Sequence, residues 1–212
     1  GNYDFLKPYY EQVLSEQADG VIPNYGEQKT SGLHYSGAFQ NGQAAMCNMG
    51  SWFISTLISN LDSGEYDSSL CGNWGIASYP HPDGAEAGST IATITGLAVT
   101  SASENKDAAF DFVNWVSGTE GAKVMASTGN FPAIMTDDVI NTIAGMAGFP
   151  TDEGSKEALN ITNAYLEVPY AENVSEINSI LDTYHTSIMN REVTVEEGVA
   201  SMNEQVGKIL NQ

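Results

Sequence analysis

The sequence of 212 residues predicts an α/β layered fold. Apolar residues recur at helical spacing in several long segments, and short segments rich in β-branched residues lie between them. Glycine or proline marks most of the junctions between the two kinds of segment. Helices that alternate with short strands are typical of layered α/β domains. A chain of this length can bury a substantial core, so we expect one large domain or two small ones.

The first half of the chain is predicted to contain three helices and two strands. The short helix SGAFQNGQ should begin at a cap on Ser36 and end at Gly42. The second strand, NWGIASYP, should be stopped by Pro80 and Pro82. The predicted helices cover residues 3–17, 36–43 and 51–61, and the predicted strands cover 44–49 and 73–80.

The second half is predicted to be mainly helical. The segment 89–101 alternates β-branched residues around Gly96, which indicates two strand pieces joined at a flexible point. Thr194 followed by Glu197 is the pattern of a capping box at the start of the last helix. The first helix of this half should turn Ala109, Phe112, Val113 and Val116 inward, with Trp115 in the core. The predicted helices cover residues 105–116, 119–127, 137–146, 155–166, 173–190 and 194–210.

The charge of the chain excludes some classes of partner. There are 27 acidic and 7 basic residues, a net charge of −20, and Arg191 is the single arginine. Nucleic acids and anionic membranes select for basic surfaces, so we expect neither as a partner. An anionic small ligand is also disfavoured, because arginine is the usual side chain for phosphate and carboxylate. Most of the carboxylates are expected to solvate the surface.

No pattern in the sequence indicates catalysis. His34, His81 and His185 are isolated from one another and from any metal-type spacing, and no nucleophile elbow, phosphate loop or dinucleotide fingerprint is present. We therefore expect no enzyme, no metal and no cofactor. The sequence leaves open whether Cys47 and Cys71 form a disulfide or remain free thiols.

Trp52 is the most informative aromatic residue. It follows Gly50 and Ser51 at a predicted strand-to-helix junction, and such junctions line ligand clefts in α/β folds. Glycine would allow a tight backbone approach there. An indole ring offers a flat apolar face to the CH groups of a sugar, while polar neighbours bind hydroxyl groups. From this pattern alone, a tryptophan that anchors its helix on the sheet is an equal alternative.

Five segments in order resemble one family. They are FQNGQAAMCNMGSWF, WGIASYPHPDG, TGLAVTSASENKDAAFDFVNWVSGTEGAKVM, GNFPA and NREVTVEEGVASMNEQVGKIL. Each segment alone is a weak match, but together they resemble bacterial extracellular solute-binding proteins of the maltose-binding type, over essentially the whole chain. The resemblance implies a type II periplasmic-binding-protein-like fold that closes on a ligand and delivers it to an ABC transporter. Sugars and oligosaccharides are the commonest ligands of this group.

The resemblance also implies that this chain is the C-terminal portion of such a protein. Residues 1–92 and 149–212 would form the C-terminal lobe, and residues 93–148 would be a hinge strand and a segment crossing to an N-terminal lobe that is mostly absent. The implied partners are a carbohydrate, the membrane permease and the missing lobe. The implied location is extracellular or periplasmic, with a lipid anchor as one form, although GNYDFLKPYYEQ lacks the features of a signal segment.

The resemblance places several residues at the binding cleft. Trp52 matches the family's stacking aromatic, with Gly50, Ser51 and Thr95 beside the cleft and Thr95–Gly96 at the hinge. Asn178, Ser179 and Asp182 stand where maltose-binding members carry aromatic and basic residues. Polar side chains there suit hydrogen bonds to hydroxyl groups and argue against maltodextrin. Tyr170 could supply a replacement ring.

Three alternatives remain at this level. The excess of acidic residues would also suit a polyamine or another cation as the ligand. Asp182 and a neighbouring aromatic ring would then hold the amine. A carbohydrate-active enzyme would need two carboxylates facing each other in a pocket. A surface interaction module would present an exposed apolar patch.

Overall fold

The computed structural model describes residues 1–81 and 83–211, which fall into two compact units. The terminal unit joins the chain up to Leu33 with the chain from Val168 onward, and the central unit is His34–Glu167. Pro82, which the sequence predicts to stop a strand, lies outside the described residues. A 3-10 turn at Asp4–Leu6 precedes helices α1 Lys7–Ala18, α2 Tyr25–Ser31, α3 Tyr35–Gln40, α4 Trp52–Ser63, α5 Ser68–Cys71, α6 Lys106–Val116, α7 Thr119–Ser127, α8 Asp137–Ala144, α9 Glu153–Glu157, α10 Val174–Met189 and α11 Val195–Leu210, with strands β1 Ser89–Ala92 and β2 Asn163–Leu166.

The terminal unit is helical, and α1, α10 and α11 pack around one small core. Ile188 of α10 and Val199 and Met202 of α11 are buried at its centre. A methyl group on Gly198 would overlap the side chain of Ile188, so the two helices touch closely at this glycine. The surrounding apolar side chains are Tyr3, Leu6, Tyr10, Leu14, Leu181, Tyr184, Val193 and Val195.

The start of α11 confirms the predicted capping box. The hydroxyl of Thr194 accepts a hydrogen bond from the backbone N–H of Glu197, with N and O 3.2 Å apart. The carboxylate of Glu197 accepts in return from the backbone N–H of Thr194 at 3.0 Å. Two backbone donors that the helix leaves free are thereby satisfied.

The central unit has two apolar cores, and α4 contributes to both. Phe53 and Leu57 are buried in one core together with Cys71. Ile54 and Ile58 pack against the other. The buried residues of that second core are Ala122, Ala126, Val139, Ile143, Phe149 and Leu159. Since α4 has apolar side chains on two faces, it organises the unit.

The sheet of the central unit is small. β1 and β2 pair in parallel, with Ser89 opposite Asn163 and Ala92 opposite Leu166. Just beyond this ladder, the hydroxyl of Thr93 donates a hydrogen bond to the carboxylate of Glu167. The parallel pair is joined by a long connection that contains four helices, as parallel pairing requires.

Most of the predicted helices are confirmed. The chain is helical over nearly all of 3–17, 51–61, 105–116, 119–127, 137–146, 173–190 and 194–210. The helix predicted at 36–43 begins at Tyr35, and its N-cap is His34, whose Nδ1 accepts from the backbone N–H of Ser36 at 3.4 Å. Ser36 is not the cap, because its hydroxyl is buried against the amide of Gln40. Gly42 ends the helix with a positive φ of 69°, as glycine at this position allows.

Four extended or helical predictions are wrong. The segment 89–101 forms one strand piece, β1, and its residues after Ala92 form no second strand. Residues 44–49 and 73–80 are not strands, and Met46 in the first of these segments is 89% exposed. A strand needs a ladder partner, and among the described residues none pairs with these segments. The helix predicted over 155–166 is instead the short α9 followed by β2. The sequence patterns also missed α2 and α5, each of which is only one or two turns long.

The predicted inner face of α6 is confirmed in part. Ala109, Val113 and Val116 are half-buried, and the other residues of the helix are exposed. None of its residues is buried, and Phe112 and Trp115 are 60% and 48% exposed. Their rings stack on each other, with centroids 6.5 Å apart. The helix packs against α7 at one end and leaves its aromatic side chains open to solvent.

The two units divide the chain differently from the predicted lobes. Residues 93–148 lie wholly in the central unit, where α7 and α8 share a core with α4. Residues 1–33 and 168–211 group apart from 34–92 because α1, α10 and α11 form their own core. Which lobe of a complete protein each segment joins remains a prediction.

None of the helices described is both long and apolar enough to traverse a lipid bilayer.

Candidate ligand-binding site

Trp52 is the first residue of α4 and its indole is 47% exposed. The next residue, Phe53, is buried in the core, so the backbone at this point is anchored while the indole stays at the surface. The helix begins with bonds from the N–H groups of Phe53 and Ile54 to the carbonyls of Gly50 and Ser51, at 3.0 and 3.1 Å. Ser51 is the N-cap, but its hydroxyl makes no capping bond.

Gly50 lies directly against the indole. A methyl group at this position would overlap three carbons of the six-membered ring of Trp52. The group that approaches the backbone of Gly50 closely is therefore the ring of Trp52, which folds back over this glycine. Only glycine leaves room for the ring in this position.

Tyr35 holds the other side of the indole. The Nε1–H of Trp52 donates to the Tyr35 hydroxyl, with N and O 3.2 Å apart. The Tyr35 ring stands edge-on to Phe53, with centroids 5.1 Å apart and an interplanar angle of 89°. On its other side it contacts the ring of His34, with centroids 4.0 Å apart. The sequence analysis missed Tyr35, and the aromatic residue at the start of α3 was the signal that could have found it.

The predicted hinge lies in the irregular chain that follows β1. Thr95 and Gly96 are both exposed and belong to neither strand. A methyl group on Gly96 would meet no atom within 4 Å, and its φ is not positive. Neither sterics nor backbone conformation requires glycine here, so the hinge remains a prediction.

The remaining predicted site residues belong to the terminal unit. Asn178 and Asp182 are exposed and one turn apart on the same face of α10. Tyr170 is fully exposed in the loop before that helix. Ser179 lines a shallow groove of about 310 Å³ together with Glu176, Ile180, Thr183, Tyr184 and Gln205.

His185 lies on the same face of α10 as Asp182, at the centre of an aromatic group. Its Nδ1 is 3.1 Å from the Tyr10 hydroxyl, and the Tyr25 ring stands edge-on to it at 5.5 Å. Burial lowers the pKa of His185; the Asp182 carboxylate acts against this shift, and the Lys29 ammonium adds to it. The imidazole therefore favours its neutral form.

A second depression, lined by polar residues, lies on the central unit. Its volume is about 420 Å³ and it is lined by Lys123, Asp138, Asn141 and Thr142. Trp52 borders neither this depression nor the groove on α10. Among residues 1–81 and 83–211, no three histidine, cysteine or acidic side chains gather in a way that could hold a metal ion.

Cys47 and Cys71 are free thiols in the structure. Both border the core that contains Phe53, with Cys71 inside it and Cys47 packed against it. Burial raises the pKa of both thiols, and the Asp67 carboxylate adds to the shift at Cys71.

Comparison with known proteins identifies the family. A profile of the bacterial extracellular solute-binding proteins matches residues 6–151. The chain belongs to this family. A crystal structure of a sugar transporter from Rhizobium etli, in an open conformation, is 50% identical to this solute-binding chain, with a TM-score of 0.87. The alignment covers 98% of this chain and 52% of the Rhizobium etli chain, so this chain spans about half the length of that relative.

A search of curated proteins finds no match. The predicted fold class is confirmed, because the helices and the small parallel sheet match part of a periplasmic-binding-protein-like structure.

Proposed function

We propose that this chain is part of the extracytoplasmic substrate-binding component of an ABC importer, and that it binds a neutral sugar or oligosaccharide. The observation that supports this most directly is the exposed indole of Trp52, seated on Gly50 and held by Tyr35. A fixed aromatic face suits the CH groups of a sugar ring. The sugar transporter of Rhizobium etli, similar over nearly the whole chain, supports the same class of ligand.

The proposed mechanism is capture by closure of two lobes and involves no catalysis. A solute that contacts both lobes stabilises the closed state only by its greater affinity for that state. Since this chain spans about half the length of the relative, the solute's contacts with the other lobe would come from the rest of the protein. Gly50, Ser51 and Thr95 are proposed as further contact residues near Trp52. The family resemblance supports Tyr170, Asn178 and Asp182 as contact residues as well. The hinge is proposed at Thr95–Gly96.

The proposed partners are therefore the sugar, the membrane permease and the N-terminal lobe, with the protein outside the cytoplasm. A lipid anchor is one proposed form of attachment. The family to which the chain belongs supports delivery to a permease.

A thermal-shift screen tests the ligand class. The complete protein should be screened against D-glucose, D-galactose, D-xylose, maltose, sucrose and raffinose, with spermidine as the cationic competitor. A ligand that binds only the folded state raises the melting temperature. We expect at least one saccharide to raise it and spermidine to leave it unchanged. A shift with spermidine alone that persists at high salt would establish the polyamine alternative instead, because salt screens the non-specific attraction of a polycation to a chain with a net charge of −20.

A further inference from the structure

The indole of Trp52 is held from two directions by groups of the same unit. The backbone of Gly50 lies against one face of its six-membered ring. The hydroxyl of Tyr35 accepts the indole N–H at 3.2 Å. With one face covered and the N–H engaged, the opposite face is the part of the ring that is left for a solute.

Tyr35 is itself anchored. It is the first residue of α3, and its ring packs edge-on against Phe53, a residue of the buried core. The ring of His34 lies on its other side at 4.0 Å, and His34 caps the helix through Nδ1. These contacts fix the direction of the Tyr35 hydroxyl, and thereby the position of the hydrogen bond that it accepts.

We infer that Tyr35 is a positioning residue for Trp52, and that it acts on solute binding through the indole. This inference rests on the proposed function. A side chain that is already held in its binding position loses less freedom when the solute arrives, so affinity is gained without a new contact. Because the indole N–H is already hydrogen-bonded to Tyr35, Trp52 recognises its solute through the face of the ring. This favours solutes that present a flat array of CH groups over solutes that need a hydrogen bond from the indole N–H.

The first test needs no ligand. The complete protein is labelled with ¹⁵N, and the indole resonance of Trp52 is assigned from its loss in Trp52→Phe. In Tyr35→Phe, which keeps the ring and removes the hydroxyl, we expect this N–H resonance to move and its exchange with water to quicken by about fivefold, the equivalent of one neutral hydrogen bond. The resonances of Trp74 and Trp115 should stay in place and report that the fold is intact.

Tyr66→Phe is the matched control. Tyr66 packs against the same core as Tyr35. Removal of the Tyr66 hydroxyl leaves the hydrogen bond between Trp52 and Tyr35 in place. Its Trp52 resonance should be unchanged. An unchanged Trp52 resonance in Tyr35→Phe would overturn the inference.

The second test is a double-mutant cycle in the complete protein. The probe is the saccharide that gives the largest thermal shift in the screen above, and its affinity is measured by calorimetry. Tyr35→Phe should weaken binding about fivefold, the equivalent of one neutral hydrogen bond, and should have no further effect in a Trp52→Ala background.

The outcomes separate the two proposals. Additive losses would mean that Tyr35 contacts the saccharide directly, which overturns the positioning role and leaves the proposed function standing. Full affinity in Trp52→Ala would refute Trp52 as the contact, whereas the exchange measurement would still decide whether Tyr35 holds the indole.

Discussion

Trp52 differs from the other two tryptophans in the way its ring is held. Trp74 packs against the core of Phe53 and stands edge-on to Phe149 at 6.2 Å. Trp115 lies on α6 and stacks with Phe112. Only Trp52 combines an exposed face with a glycine beneath the ring and a hydrogen bond to the N–H. This combination suits a rigid contact surface better than it suits an element of the core.

Gly50→Ala should displace the indole. The added methyl group overlaps the ring, and because the ring is half exposed it can swing away without compressing the core. We therefore expect a loss of only about 1 kcal/mol in the free energy of unfolding, the lower end of overpacking costs. Urea unfolding followed by tryptophan fluorescence measures both this loss and a changed emission of Trp52.

Gly96→Ala is the control for this change. A methyl group there meets nothing within 4 Å, so both the stability and the emission spectrum should match the unmodified chain. If Gly50→Ala behaves like Gly96→Ala, the indole does not lie on Gly50 in solution.

His185 should make stability depend on pH. Its pKa lies below the ordinary value of 6.5 mainly because burial disfavours the imidazolium. The unfolded chain then binds more protons than the folded chain as pH falls below that value, so the free energy of unfolding decreases with falling pH and is constant above it. His185→Gln should remove this component.

Urea midpoints between pH 5 and pH 7.5 measure the effect. We expect the unmodified chain to lose more stability over this range than the His185→Gln variant, the carboxylates being common to both. The groups that face the imidazole are Tyr10 of α1, Tyr25 and Lys29 of α2, and Asp182 of α10. Equal pH dependence in the two proteins would show that the ring titrates as it does in the unfolded chain.

At the scale of elements, the long helices were predictable from local patterns. The bounds of α7 match the prediction at both ends, and those of α10 and α11 differ by one residue. Their signals are local: apolar residues at helical spacing, a capping residue at the start, and glycine or a polar residue at the end. The capping box of Thr194 and Glu197 is the strongest of these signals and was formed as expected.

Strands were predicted poorly because their stability depends on distant partners. The segments 44–49 and 73–80 have the composition of strands, but among the described residues they have no ladder partner. β2 was assigned to a helix that was predicted to run from residue 155 to residue 166, but the helix there ends at Glu157 and β2 begins at Asn163. Its pairing with β1, 74 positions away in sequence between Ser89 and Asn163, leaves no local trace.

Two glycines of α11 should respond to alanine in opposite directions. Gly198→Ala overlaps Ile188 and should destabilise the terminal unit by about 1–3 kcal/mol, because the helices must separate. Gly207→Ala meets no atom within 4 Å and should stabilise it by about 0.5–1 kcal/mol, the gain in helix propensity. Circular dichroism at 222 nm during urea unfolding measures both. Changes of the same sign would show that α11 does not pack on α10 through Gly198.

At the scale of the whole molecule, exposed apolar side chains mark a surface that the 212 residues do not cover. α6 has no buried residue although it carries Phe110, Phe112 and Trp115. A two-stranded sheet is also marginal alone, and parallel sheets are normally covered on both faces. These features agree with a chain that spans about half the length of its solved relative.

The isolated chain should bind an apolar dye and self-associate. Phe112→Ser should lower both the fluorescence of bound anilinonaphthalene sulfonate and the fraction of dimer in sedimentation, because it interrupts the aromatic surface of α6. Val21→Ser is the control, since Val21 is exposed on the terminal unit and lies outside α6. Equal dye binding by both variants would place the apolar surface elsewhere.

The candidate site was predictable in part. The start of α4 near Gly50 and Trp52 was evident from residue type and position, but the strand predicted to lead into it does not form. The partner of the indole was not evident, because Tyr35 lies 17 positions earlier and reaches Trp52 only through the packing of α3 on α4. Asn178 and Asp182 were placed by resemblance alone, and their role stays a proposal.

The most direct test is calorimetric titration of the complete protein and its Trp52→Ala variant with the saccharide found by thermal shift. Loss of an aromatic contact should weaken binding by at least about 1 kcal/mol, or roughly fivefold. Tyr9→Ala removes an exposed aromatic ring of α1 that lies outside the proposed site, and this variant should bind like the unmodified protein. Unchanged affinity in Trp52→Ala would contradict the account and leave Trp52 as a structural residue.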